Sequence, residues 1–136
     1  MKYIRLMAVL GVAILAIGAA ARTPGQKVGV TFSELCYDFG TVATDAEPVV
    51  HTFTVTNNGS EAVAILSARA SCGCTEPTYQ RRPIMPGETG QVTVRFIPQG
   101  QRGEVDKNVT LRLKAADGKS EKVHLRLVGT VVPPAR

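Results

Sequence analysis

From Val28 onward, apolar and polar residues alternate with a period of two rather than 3.6. Val109-Thr110-Leu111-Arg112-Leu113-Lys114 alternates without a break, as do Val123-His124-Leu125-Arg126-Leu127 and Val92-Thr93-Val94-Arg95-Phe96. Each run predicts a strand with one buried and one wet face. Val49 to Asn57 sets Val49, His51, Phe53 and Val55 on one face and threonines on the other. Val63 to Ala70 is a further strand, and Val28 to Phe32 and Tyr37 to Val42 are short opening ones. The punctuation agrees. Asn57-Asn58-Gly59-Ser60 predicts a tight turn and Asp117-Gly118 a hairpin. Pro83-Ile84-Met85-Pro86-Gly87-Glu88 predicts a rigid turn, with Pro86 fixing φ and Gly87 free to take a positive one. About seven short strands ended by turn residues predict an all-β fold, an immunoglobulin-like β-sandwich over residues 28–132. The disulfide and core tryptophan of antibody domains are missing. Residues 133–136 read as a tail, since Pro133 and Pro134 cannot extend a central strand.

The start of the chain follows another pattern. Lys2 and Arg5 form a positive head, Leu6 to Ala21 is uncharged, and Ala19, Ala20 and Ala21 offer a small-residue cleavage site. That order predicts a signal peptide over residues 1–21, followed by a short polar lead-in over 22–27. The alternative is a retained membrane anchor. Leu6 to Ala21 would span only about 24 Å as a helix, short of a hydrocarbon core of about 30 Å. No cysteine follows the small residues, so a lipoprotein anchor is not expected. The expected location is the periplasm or cell envelope, with no transmembrane segment after cleavage.

Charge then changes the picture little. The formal net charge is +5 over 136 residues, and cleavage would remove Lys2 and Arg5. The remainder is mild and lacks interleaved aromatic residues, so nucleic acid is not an expected partner. Three cysteines are too few for a disulfide-dense miniprotein, and two histidines too few for a histidine-rich metal site. No G-x-S-x-G, H-E-x-x-H, phosphate loop or carboxylate pair points to catalysis, and no cofactor is expected.

Ser71-Cys72-Gly73-Cys74-Thr75 is the one unusual motif. It follows a predicted strand and precedes a loop containing Pro77. Cα atoms two residues apart lie about 5.5–7 Å from each other, near the upper limit for a disulfide, and Gly73 lets the backbone tighten. Such a small ring would be reduced more easily than a structural bridge, as thiol–disulfide exchange requires. Two thiolates at Cys72 and Cys74 could also share Cu(I). Against these stand a structural staple from Cys36 to Cys72 or Cys74, and small buried residues at a tight corner. His51 is expected to be a satisfied core histidine, and His124 a surface residue. Arg112, Lys114 and Arg126, with Arg95, fall on wet faces. If the last two strands pair, the first three form a basic patch for an anionic surface ligand, or a solvated face that guards a sheet edge.

A family resemblance rests on seven strings in order. They are Tyr37-Asp38-Phe39-Gly40-Thr41-Val42, Val50-His51-Thr52-Phe53, Thr56-Asn57-Asn58-Gly59 and Ser71-Cys72-Gly73-Cys74-Thr75. Pro83 to Gly90, Arg102 to Lys107 and Leu127-Val128-Gly129-Thr130-Val131 complete the set. Together they resemble a bacterial exported family, domain of unknown function 1573, related to Ig-like modules of the abnormal-spindle and Hydin type. The resemblance covers Tyr37 to Val131 and implies a signal-bearing β-sandwich with a Cys-Gly-Cys motif. Cys36 lies outside the family pattern, which implies a Cys72–Cys74 relationship rather than a Cys36 staple.

Three function classes follow. The first is a non-catalytic binding or assembly module of the cell envelope, its partner an envelope protein or an anionic surface ligand. Its expected site is one end of the sandwich, carrying Ser71 to Thr75 together with the loop of Pro83, Pro86 and Gly87. The second is a thiol redox or Cu(I)-handling protein using Cys72 and Cys74. The third is a structural spacer.

Overall fold

A computed structural model describes residues 28–135, which carry eight strands and no helix. The expected signal peptide and the whole of the lead-in lie outside these residues. The strands are β1 (Val30–Phe32), β2 (Cys36–Ala43), β3 (Val49–Asn57), β4 (Val63–Ala70), β5 (Thr75–Tyr79), β6 (Thr89–Phe96), β7 (Gly103–Ala115) and β8 (Ser120–Val132). They form two four-stranded sheets, ordered β1-β3-β6-β5 and β2-β8-β7-β4. This is the immunoglobulin-like β-sandwich expected from the alternation.

The period-2 pattern builds the core directly. Phe53 and Val55 of β3 and Val92, Val94 and Phe96 of β6 face inward from one sheet. Leu111 and Leu113 of β7 and Leu125 and Leu127 of β8 meet them from the other. Fully burying each such side chain is worth about 1.5–3 kcal/mol relative to exposure.

Three elements differ most from expectation. Thr75–Tyr79, read as a loop, is the edge strand β5. Its sequence carries no apolar alternation, and Pro77 is tolerated because β5 pairs only with β6. The last two strands are also longer, at 13 residues each. The extension of β7 was hidden because Lys107 occupies an inward register position between Val105 and Val109.

The chain changes sheets once near its start. β1 pairs antiparallel with the end of β3, and Ser33 to Leu35 then carry the chain across. β2 continues in the second sheet, parallel to β8, with a bulge between Asp38 and Thr41. A clasp of side chains holds this crossing. The rings of Tyr37 (β2) and His51 (β3) stack with centroids 3.6 Å apart, and His51 meets Phe53 edge-on at 4.8 Å. His51 Nε2 is also bonded to the Glu34 carboxylate. His51 is therefore half-buried and satisfied, at the rim rather than in the centre of the core.

Candidate functional site

The Cys-Gly-Cys loop joins the end of β4 to the start of β5, crossing from one sheet to the other. Ser71 anchors it, its N–H donating to Asn108 O at 2.9 Å and its hydroxyl accepting from Asn108 N–H at 3.2 Å. Cys72 and Cys74 form a disulfide, with Cα atoms 5.4 Å apart. Cys36 is a free, exposed thiol on β2. In register, Cys36 lies beside Arg126, which faces Asn108, which adjoins Ser71. Three strand spacings of about 4.8 Å put Cys36 about 14 Å from the loop. The Cys36 staple is thus replaced by the small ring, because β8 and β7 stand between. As a disulfide the pair offers no thiolate to copper, and no cluster of three His, Cys, Asp or Glu able to hold a metal is found among the described residues.

The expected pairing of this loop with the Pro83–Gly90 loop fails. Ile84 is bridged to Val63, the first residue of β4, whereas Ser71 follows its last. The length of β4, about 25 Å, separates the two loops. Asn57 explains where the proline loop sits. This fully buried residue donates from Nδ2 to Glu61 O at 2.7 Å and Ile84 O at 2.8 Å, and accepts from Gly59 N–H at 3.0 Å. Its backbone carbonyl takes the N–H of Gly87, which adopts a φ of 81°. Pro83, Pro86 and Gly87 are exposed at that end.

The basic face is also redrawn. β7 and β8 do pair as a hairpin, but Arg126 is held by Asp106, Nη2 to Oδ2 at 2.6 Å and Nε to Oδ1 at 3.1 Å. The hydrogen bond and charge of Arg126 hold the Asp106 carboxyl below its ordinary range, and Asp106 in turn raises the guanidinium. Arg95 lies on the opposite sheet, bonded to Glu76 at 2.9 Å. The exposed basic group is Arg112 and Lys114 with Lys122, which faces Arg112, and Arg69, which faces Thr110. Lys122 and Arg69 were missed because cross-strand register is not written in a single strand. His124 is exposed, as expected, with Nδ1 3.1 Å from the Thr110 hydroxyl.

The sheet edges complete the picture. Cys74 O accepts from Ile97 N–H, so Glu76 and Thr78 face β6 and Pro77 turns its missing N–H outward. β4 is covered at its start by Ile84 and further along by Tyr79, whose hydroxyl donates to Leu66 O at 3.3 Å. β2 carries the bulge. Bulges and edge prolines are common ways of blunting an edge. The β1 side of β3 differs. Ser33 N–H donates to Thr54 O, so Thr54, Thr52 and Val50 turn their backbone toward that side. The Thr52–Thr93 hydroxyl contact at 3.1 Å agrees, since close side chains mark the non-hydrogen-bonded pairs of a ladder. β1 ends at Phe32, and among the described residues no strand reaches Val50 and Thr52. Val50 is 58% exposed.

The family model described as protein of unknown function (DUF1573) matches residues 30–131. The chain belongs to this family. No curated protein matches the DUF1573 chain. Solved structures do. The PapD-like domain 7 of human CEP192 superposes with a TM-score of 0.63 at 15% identity, over 94% of this chain and 100% of that one. The VesB protease of Vibrio cholerae gives 0.63 at 16% identity, covering 75% of this chain and 32% of its own, so the DUF1573 chain spans about a third of that protein. The periplasmic chaperone SfaE gives 0.58 at 13% identity, over 78% of this chain and 61% of its own. These likenesses show a PapD-like, Ig-like fold.

Proposed function

We propose that this DUF1573 protein is an exported binding or assembly module of the cell envelope. It takes up an extended segment of another envelope protein along the open edge of β3. The observation that carries this reading is the unpaired backbone of Val50 and Thr52, beside edges that are short, bulged, proline-bearing or covered. An added strand there would gain main-chain hydrogen bonds, and the exposed Val50 would give it an apolar contact. The signal-like start of the chain and the fold shared with a periplasmic chaperone support an envelope setting.

The test is capture from envelope extract by the wild type and by Val50→Pro. Proline at this position removes an N–H that has no partner among the described residues, so the sandwich should stay folded, as thermal unfolding would verify. A partner held by wild type and lost by Val50→Pro is the expected result. Equal capture by both would sink the edge-binding reading, and no partner at all would favour a spacer. Charge reversal at Arg112 and Lys114 separates an anionic surface ligand from strand addition.

A further inference from the structure

Thr75 is only 3% exposed, yet its hydroxyl meets no oxygen or nitrogen partner among the described residues. It lies 3.7 Å from Cys72 Sγ and 3.7 Å from Cys74 Sγ. The N–H of Cys74 also points at Cys72 Sγ, at 3.3 Å. A disulfide sulfur is a poor acceptor for these two donors, whereas a thiolate is a strong one. The surroundings therefore suit the reduced pair better than the bridge.

The bridge is also a weak staple. Cross-linking residues two apart removes little entropy from the unfolded chain. The loop is moreover held without it, by Ser71 N–H to Asn108 O, Thr75 N–H to Cys72 O and Ile97 N–H to Cys74 O. Reduction would leave these bonds in place. Above the loop there is room, since a side-chain carbon added at Gly73 would meet nothing within 4 Å. Both cysteines are half-buried, and the packing of Cys74 against the core assigns the attack to Cys72 Sγ.

We infer that the Cys72–Cys74 bridge is a thiol–disulfide exchange centre for cysteine pairs of other exported proteins, with Thr75 tuning it toward the reduced form. A substrate thiolate attacks Cys72 Sγ, forming a mixed disulfide. The Cys72–Cys74 bond breaks, and its electron pair goes to Cys74 Sγ, where the Thr75 hydroxyl donates. The second substrate thiolate then attacks the substrate sulfur of the mixed disulfide and expels the Cys72 thiolate onto the Cys74 N–H. The substrate loses two electrons and two protons and gains a disulfide. The Cys72–Cys74 pair takes up the two electrons, and its thiolates take protons from water. The reverse sequence reduces a substrate disulfide. Cys36, with two strands standing between it and the loop, takes no part, and the inference is independent of the β3 edge.

The test equilibrates the protein in graded mixtures of reduced and oxidised glutathione, then traps thiols and maps them by mass. Wild type should lose the Cys72–Cys74 bridge in excess reduced glutathione while staying folded. Thr75→Val should shift the equilibrium about tenfold toward the disulfide, about 30 mV, and Thr75→Ser should restore it. A bridge that resists excess glutathione in the native protein overturns the inference, as does a Thr75→Val equilibrium equal to wild type. Should Thr75→Val not fold, alkylation of reduced wild type against pH decides. One of the two thiols reacting well below the ordinary cysteine midpoint supports the proposal, and ordinary profiles for both defeat it.

Discussion

The ring of Phe39 occupies the space that a side chain at Gly129 would need. A carbon added there would overlap Phe39 Cε2, Cδ2 and Cζ, and the same ring stacks on Phe96 with centroids 5.2 Å apart. The ring thus wedges between the parallel pair β2–β8 and the facing sheet. Gly129→Ala should destabilise the fold by about 1–3 kcal/mol through overpacking, read as a lower midpoint in urea. An unchanged midpoint would show that the ring moves aside freely.

Asn57 makes a second point of tight dependence. Its side chain satisfies two carbonyls and one N–H in a fully buried place. Asn57→Asp would turn an acceptor toward the carbonyls of Glu61 and Ile84. Both variants leave those carbonyls unpaired, at about 1–3 kcal/mol for each buried group, and the charge that Asn57→Asp buries against them makes it worse than Asn57→Ala. The comparison of the two unfolding midpoints checks the order.

The inter-sheet stack of Tyr37 and His51 predicts a similar measurement at the other end of the fold. Tyr37→Ala removes an aromatic pair worth about 0.5–1.5 kcal/mol beyond the area it buries. Tyr37→Phe keeps the ring and should behave as wild type. A Tyr37→Phe loss equal to that of Tyr37→Ala would mean that the hydroxyl, not the stack, matters.

For Asp106 the sign of the pH effect follows from Arg126. The folded carboxyl is held below its unfolded value, so the pair favours the native state above the ordinary carboxylate midpoint of about 3.9. That contribution disappears as the pH falls from there through the lowered native value. The pair is exposed, so the gain is small and salt-sensitive. An NMR titration of Asp106 should show a lowered midpoint that returns to the ordinary range in Arg126→Ala.

Much of this architecture can be read from single strands, because burial imposes a period of two on each. Phe53, Val94, Leu111 and Leu125 all lie inside where alternation puts them. What a single strand does not record is its neighbour. The salt bridge of Arg126, the Lys122 opposite Arg112 and the opposite placement of the two loops all depend on register and topology. β5 was hidden for a different reason. An edge strand with one partner needs no apolar alternation, so Thr75-Glu76-Pro77-Thr78-Tyr79 resembles a loop until β6 lies beside it. The cysteine ring followed from the family likeness, but the buried Thr75 hydroxyl beside it had no signature beyond adjacency.

The crossing at Ser33 to Leu35 has a wider consequence. One stretch of chain borders both sheets in turn, and every residue it gives to one border it withholds from the other. Had the chain crossed three residues later, β1 would run on to Leu35 alongside Thr52, and the first sheet would be closed there. The Glu34–His51–Tyr37 clasp fixes where that division falls. Under the proposed strand addition, receptivity at β3 is a matter of where the chain turns, so a change in the crossing point would open or shut that edge without altering any residue of β3.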